Sequence, residues 1–314
     1  MRILVVGAGA TGGYFGARLA EAGQDVTFLV RPQRAAILRE RGLRITGLGE
    51  ETVITPRLAT AAELSAPYDL VLLSVKATAL GQAIDDVAPA IGPQTAIVPF
   101  LNGMAHLETL NARFGAQPVL GGVAKLVTTL NADGDIVRLA PLATLTIGEQ
   151  DGRPSARVDK IHSLLDDAGI DVSASADIVG AMWHKWVFIT TVGALTCLMR
   201  GTVGDVVAAP GGSGLGPAIL AEAAAVSAAA GSPVPDDQLA AITATVTQAG
   251  SPFAPSMYRD VAHERPTEVE HVFADLVTRA RTLSVGTPLL DLATLHLRVH
   301  QHRTADRALE HLGG

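Results

Sequence analysis

The sequence predicts an α/β N-terminal domain built on a parallel sheet, followed by an all-α C-terminal domain. Three observations carry that reading. Short, nearly continuous apolar runs at 3–6, 26–30, 68–75 and 96–100 read as strands buried on both faces. A helical pattern separates the first two, as a βαβ unit requires. Beyond about residue 176 the alternation fades and apolar residues recur at helical spacing, so the boundary is drawn as 1–176 and 177–314. A chain of 314 residues with 48% hydrophobic and 18% charged residues can fill two cores and is not disordered.

Composition removes several classes of function. The net charge of −7 opposes binding to a phosphate backbone, and 4% aromatic residues leave little for base stacking, so no nucleic-acid partner is expected. The single cysteine, Cys197, excludes an internal disulfide and a cysteine-rich metal site. The nine histidines form no ligand set; His296 and His300, four apart, read as a solvated helix face, and no metal is expected. The N-terminus lacks the pattern of a signal peptide, and the uncharged stretch 186–199 is shorter than the ~18 residues of a membrane span. A cytoplasmic location follows as the expectation.

Taken in order, Ile3-Leu4-Val5-Val6 is the first strand. It runs into Gly7-Ala8-Gly9-Ala10-Thr11-Gly12, then a helical pattern through Phe15, Leu19 and Ala20, then a second strand at 26–30. A G-x-G-x-x-G between strand and helix, inside a unit of about 30 residues, is the context of a dinucleotide site. Gly7 permits the tight turn, Gly9 lets a pyrophosphate approach the backbone, and Gly12 lets helix and strand pack closely. The helix N-terminus offers unpaired N–H groups to the phosphates. The second strand ends without the acidic residue that binds a ribose 2′-hydroxyl in NAD sites. Arg31 stands there instead, with Arg34 as a second candidate, and a guanidinium suits a 2′-phosphate. NADP(H) is therefore the expected cofactor in a Rossmann-type domain.

The next two strands end at Lys76-Ala77 and at Leu101-Asn102-Gly103-Met104, positions where open parallel sheets bind ligands. Further strands are predicted at 119–129, at 142–147 and at 170–172 as an edge, with a helix at 156–168. In the C-terminal half, 179–199 reads as one long helix or two broken near Gly193. A loop covers 206–217, and helices follow at 218–230, from Asp236 or Asp237 as cap, and from Pro266 in a first turn. The last helix spans 289–299, and the polar tail 303–314 is expected to fray.

A proton donor must come from the second domain. Lys185, inside Trp183-His184-Lys185-Trp186-Val187-Phe188, has surroundings apolar enough to lower an ammonium pKa toward the working pH of a general acid. His184 is the rival, about 100° round the helix. Glu268 is predicted to share a helical face with His271 and Asp275. Ser256 is either a helix cap or a site residue.

In this order the motifs resemble the ketopantoate (2-dehydropantoate) 2-reductase family over nearly the whole chain. The resemblance rests on Gly7 to Gly12, Arg31, Ser-Val-Lys-Ala at 74–77, Leu-Asn-Gly-Met at 101–104, Trp-x-Lys at 183–185, and Ser256-Met257 with Asp260 ahead of Thr267-Glu268. It implies that Gly7, Ala8, Gly9, Ala10, Thr11, Gly12, Arg31 and Lys76 serve NADPH, and that Asn102 and Thr128 border it. It makes Lys185 the general acid, sets Glu268 at the cofactor–substrate junction and gives Ser256 a positioning role. The family reaction is reduction of 2-dehydropantoate to pantoate.

Where the family carries pocket asparagines, this chain has Ile189, Gly193, Phe253 and a residue near Val203. Losing amides that would grip a hydroxyl removes discrimination for it. The expected substrate is a small-molecule carbonyl less polar than ketopantoate, a 2-oxo acid or another carbonyl. Two other classes stay open: a non-catalytic NADPH-binding redox sensor, and a β-hydroxyacid-type dehydrogenase, whose lysine-with-asparagine helix is not completed because Ile189 stands four residues after Lys185. The alanine-rich helix near 218–230 fits either a homodimer or the domain core.

Overall fold

The computed structural model describes residues 1–312; the predicted fraying of Gly313 and Gly314 lies outside them. The chain divides into two compact units between Ala181 and Met182.

The first unit begins β1 (Arg2–Val6), α1 (Ala10–Glu21), β2 (Asp25–Leu29), α2 (Pro32–Arg41), β3 (Leu43–Gly47), β4 (Glu50–Ile54) and β5 (Arg57–Ala59). It continues with β6 (Leu70–Leu73), α3 (Leu80–Val87), β7 (Ala96–Pro99), α4 (Ala105–Phe114), β8 (Gly121–Leu130), β9 (Ile136–Gly148), α5 (Ala156–Asp167) and β10 (Asp171–Ala174). Five strands form a parallel sheet in the order β5-β2-β1-β6-β7. Strand order reverses at β1, with β2 on one side and β6 on the other, and the crevice beyond that point is where such sheets bind ligands. Ile3, Leu4, Val5 and the whole of β6 are at most 0% exposed, which is why these segments read as unbroken apolar runs. Each such side chain adds about 1.5–3 kcal/mol by leaving water.

A second sheet, β10-β9-β3-β4 with β8 also on β9, is mixed. The strand predicted at 119–129 belongs here, antiparallel to β9, and a bridge from Val119 to Ile97 joins its start to the first sheet. β9 starts six residues before the predicted 142, and β10 is the expected edge. Between these sheets Glu50 accepts from Arg18 and, at 2.8 Å, from Arg138, while both guanidiniums lie over the Tyr14 ring.

The second unit is helical. α6 (Ile178–Met199), whose first turn lies in the first unit, is followed by α7 (Val203–Ala208), α8 (Leu215–Ala229), α9 (Asp236–Val246), α10 (Ser256–Ala262), α11 (Asp275–Thr282) and α12 (Pro288–Leu312). A π-helical segment, Glu270–Ala274, leads into α11. Of the two readings of 179–199 the single long helix holds, for α6 is unbroken at Gly193. Several other expectations are corrected. The loop predicted at 206–217 is shorter, because α7 runs to Ala208 and α8 starts at Leu215. Pro235, not Asp236 or Asp237, occupies the cap of α9, and the two carboxylates sit in its first turn. Pro266 lies ahead of its helix, which begins at Val269. The last helix does not stop near 299 but continues to Leu312. Among the described residues α6 alone is long and apolar enough to cross a membrane, and 67% of its apolar window is buried inside the protein.

Candidate active site

In the first unit the glycine turn has the geometry its spacing predicts. Gly7 follows β1 at φ 95°, a conformation that disfavours side chains, and a Cβ there would stand 3.0 Å from the Ser74 carbonyl oxygen. At Gly12 a Cβ would stand 2.3 Å from the Gly7 carbonyl oxygen and 2.8 Å from Ser74 Cβ, so α1 rests directly on the turn and on the end of β6. Gly9 differs: its backbone is extended, and a Cβ would meet nothing within 4 Å. It caps α1 without any side-chain hydrogen bond, so the first-turn N–H groups of a 12-residue helix face a cradle that a Cβ would fill. The residues present therefore fit a dinucleotide pyrophosphate.

The flanking residues gather at the same carboxyl ends. Thr128 Oγ1 lies 3.3 Å from the Ala10 carbonyl oxygen, which it approaches as donor, bringing β8 to the start of α1. Lys76 follows β6 and is exposed; Asn102 follows β7 and is half-buried. The two arginines part company. Arg34 is half-buried, and Nη2 donates to the Gly134 carbonyl at 2.8 Å and to the Ala8 carbonyl at 3.3 Å, so it braces the glycine turn against the β8–β9 connection. Arg31 is exposed beyond β2, and its side chain makes no hydrogen bond or ion pair among the described residues. Its guanidinium is the one at liberty to take a phosphate.

In the second unit α6 is apolar all round and mostly buried, but Ala181, His184, Lys185, Phe188 and Ile189 form a half-buried stripe at i, i+3, i+4, i+7 and i+8. Lys185 is the stripe's one ammonium. His184 Nε2 donates to the Pro233 carbonyl at 3.1 Å, an engagement that occupies the rival acid. Trp186 Nε1 donates to the Val272 carbonyl at 2.8 Å, inside the π segment; a side chain inserted into the ladder is a recognised cause of such widening.

The start of the helix refines the reading of Glu268. Its carbonyl accepts from the amides of His271 at 3.1 Å and Val272 at 3.0 Å, so it sits at the mouth of the helix rather than along it. The π turn, which begins at Glu270, alters the 3.6-residue spacing only toward Asp275. Ser256 is the first residue of α10 rather than its cap, which is Pro255, and it makes no capping bond.

The positions expected to carry amides are apolar in surroundings as well as in identity. A Cβ at Gly193 would stand 3.2 Å from Phe273 Cζ, so that ring occupies the space of a side chain at 193. The rings of Phe188 and Phe253 lie 6.2 Å apart, tilted 45°. Val203 is buried, and its amide donates to the Phe253 carbonyl at 3.2 Å. Ile189 lies half-buried on the Lys185 stripe. Among the described residues no cluster of histidine, cysteine or acidic groups suits a metal ion. A shallow cavity of about 160 Å³ between α11 and α12, lined by Val277, Arg281, Asp291, Leu295 and Arg298 among others, holds none of these residues.

A glycine-cradled dinucleotide sheet and a helical unit bearing one half-buried lysine define a nicotinamide-dependent oxidoreductase. Residues 3–152 match the family described as ketopantoate reductase PanE/ApbA, and residues 177–301 match its C-terminal domain. The chain belongs to the ketopantoate reductase family and is an NADP-dependent oxidoreductase of it. It is 33% identical over 301 residues to the uncharacterized oxidoreductase YkpB of Bacillus subtilis, covering 96% of this chain and 99% of that one. It is 29% identical to a 2-dehydropantoate 2-reductase of Mesorhizobium japonicum, covering 93% and 95%. A crystal structure of a ketopantoate reductase homologue from Ralstonia solanacearum superposes with a TM-score of 0.86 at 30% identity, over 97% of this chain and 98% of that one.

Proposed function

We propose that the protein reduces the carbonyl of a 2-oxo acid less polar than ketopantoate, with NADPH as reductant. When bound, the dinucleotide supplies a hydride from the nicotinamide C4 to the carbonyl carbon. This chain's own residues do the rest. The first-turn amides of α1 and the open face of Gly9 hold the pyrophosphate. Arg31 pairs with the 2′-phosphate, and Lys76, Asn102 and Thr128 hold the remainder of the cofactor. As the carbonyl oxygen gains negative charge, the Lys185 ammonium stabilises it and donates the proton that completes the alcohol. Glu268 and Ser256 orient the substrate.

The observation that carries the substrate preference is the filling of the amide positions. Phe273 lies over Gly193, and Phe188 faces Phe253, leaving apolar surface beside the lysine stripe. Apolar lining retains a hydrocarbon side chain and gives a hydroxyl no partner. The lone thiol, Cys197, is buried, in keeping with a cytoplasmic enzyme. The test is NADPH oxidation at 340 nm with a panel of 2-oxo acids that includes ketopantoate. A kcat/KM at least tenfold higher for 4-methyl-2-oxopentanoate or phenylglyoxylate than for ketopantoate is expected. A preference for ketopantoate overturns the substrate assignment, and no oxidation with any carbonyl leaves the redox-sensor reading.

A further inference from the structure

Arg259 has no place in the chemistry described so far. It lies on α10, half-buried, and Nη1 donates to the Ala254 carbonyl at 2.7 Å. Among the described residues no carboxylate accepts from its guanidinium. The neighbouring Asp260 pairs with Arg265 at 3.1 Å, and Glu264 pairs with Arg307, so two guanidiniums, Arg259 and Arg265, flank a single adjacent carboxylate. Burial pulls the Arg259 guanidinium below its ordinary value, Asp260 only partly offsets this, and Arg265 adds to it. A guanidinium stays protonated in proteins, and a backbone carbonyl satisfies one of its five donors. What it lacks is an anion.

Its position says which anion. Ser256 lies one turn before it on α10. The Ala254 carbonyl that it grips adjoins Phe253, whose ring faces Phe188, and Phe188 lies one turn beyond Lys185 on the half-buried stripe of α6. Lys185, the Phe188–Phe253 ring pair and the half-buried cation thus follow one another within one unit, along α6 and the segment that leads into α10. In a 2-oxo acid the carboxylate is bonded to the carbonyl carbon, so a cation that fixes the one orients the other. Resting on the reading of the protein as a 2-oxo acid reductase, we propose that Arg259 is the substrate-carboxylate anchor, and that Phe188 and Phe253 receive the apolar side chain of the same acid. Arginine suits the task because its fork matches a carboxylate with two parallel hydrogen bonds.

The experiment compares phenylglyoxylate with its methyl ester, which keeps the carbonyl and the ring and loses the charge. In Arg259→Gln, kcat/KM for the acid should fall about 10- to 100-fold, the loss typical of a charge-assisted bond. The ester should change less than about threefold, and KM for NADPH should stay put. Arg259→Lys, which keeps the charge, should recover part of the acid activity and serves alone if the glutamine variant does not fold. A purely structural Arg259 would lower both substrates together, so an unchanged acid-to-ester ratio overturns the proposal. Calorimetric titration of phenylglyoxylate into the NADP⁺-loaded protein separates this from the reductase reading. If the wild type reduces neither compound, that reading fails; equal affinity of wild type and variant, or no binding by the wild type, overturns the anchor. Lys185→Ala should lose turnover and keep acid binding.

Discussion

Replacing Gly9 and Gly12 by alanine, one at a time, separates cofactor binding from folding. The two glycines are three residues apart in one turn, yet a methyl group meets opposite surroundings. At Gly12 it would press to 2.3 Å of the Gly7 carbonyl oxygen and 2.8 Å of Ser74 Cβ, both held by β1 and β6 and unable to swing aside. Overpacking of that kind costs about 1–3 kcal/mol, and backbone on one side puts Gly12→Ala at the upper end. At roughly 2–4 °C per kcal/mol, Tm should drop by about 5–10 °C. At Gly9 the methyl meets no atom within 4 Å, and φ of −87° suits alanine, so Gly9→Ala should melt within about 2 °C of the wild type. The methyl then stands where the pyrophosphate belongs and removes its close approach to the α1 amides. NADPH affinity, read by fluorescence titration, should weaken at least tenfold. If Gly9→Ala binds NADPH like the wild type, or melts as early as Gly12→Ala, the cradle is misassigned.

Four further outcomes test other parts of the argument. Lys185→Ala should cut kcat by about 10²–10⁴ and leave the Kd for NADPH within twofold; parallel loss of both in titration and steady-state kinetics denies it the proton. Arg31→Ala should weaken NADPH about 10- to 100-fold and NADH less than twofold, since only the former carries the 2′-phosphate; an unchanged preference transfers the role to another cation. Burial alone would raise the Glu50 carboxyl, but hydrogen bonds from Arg138 and Arg18 more than reverse it, so its folded value lies below the unfolded one. Its contribution is therefore present above the unfolded value and lost as pH falls through the folded one, and Glu50→Gln should flatten the acid side of a plot of Tm against pH below the ordinary carboxyl value of 4.5. Burial pushes the Cys197 thiol up to about 12, so a thiol reagent at pH 8 should label no cysteine in the native protein and one per chain in denaturant.

The sheet of the first unit was legible because its strands are buried on both faces, and Ile3 to Val6 or Leu70 to Leu73 have no other reading. The β3–β4 hairpin escaped. β4 alternates half-buried residues with the exposed Glu51 and Val53, β3 buries only Leu43 and Ile45, and the two turn through Gly47, Leu48 and Gly49, all at positive φ. Such a pattern resembles a polar loop. The roles of Arg34 and Arg259 were also illegible, because what distinguishes them from solvated arginines is a backbone carbonyl brought in by folding. For Arg34 that is Gly134, 100 residues away. The face shared by Glu268 and Asp275 was misjudged for a subtler reason: periodicity assumes 3.6 residues per turn, and the Trp186 indole arriving at Val272 accompanies a wider turn between them. Gly193, where a break in the helix was one of two readings, is the seat of an aromatic ring within a continuous helix.

That seat has a packing consequence. A Cβ at 193 would stand 3.2 Å from the Phe273 ring, which is wholly buried and would have to give by a few tenths of an ångström, while shrinking Phe273 alone leaves an unfilled hole costing about 3–5 kcal/mol. Positions 193 and 273 are thus coupled, and a side chain gained at the one is felt by the ring at the other.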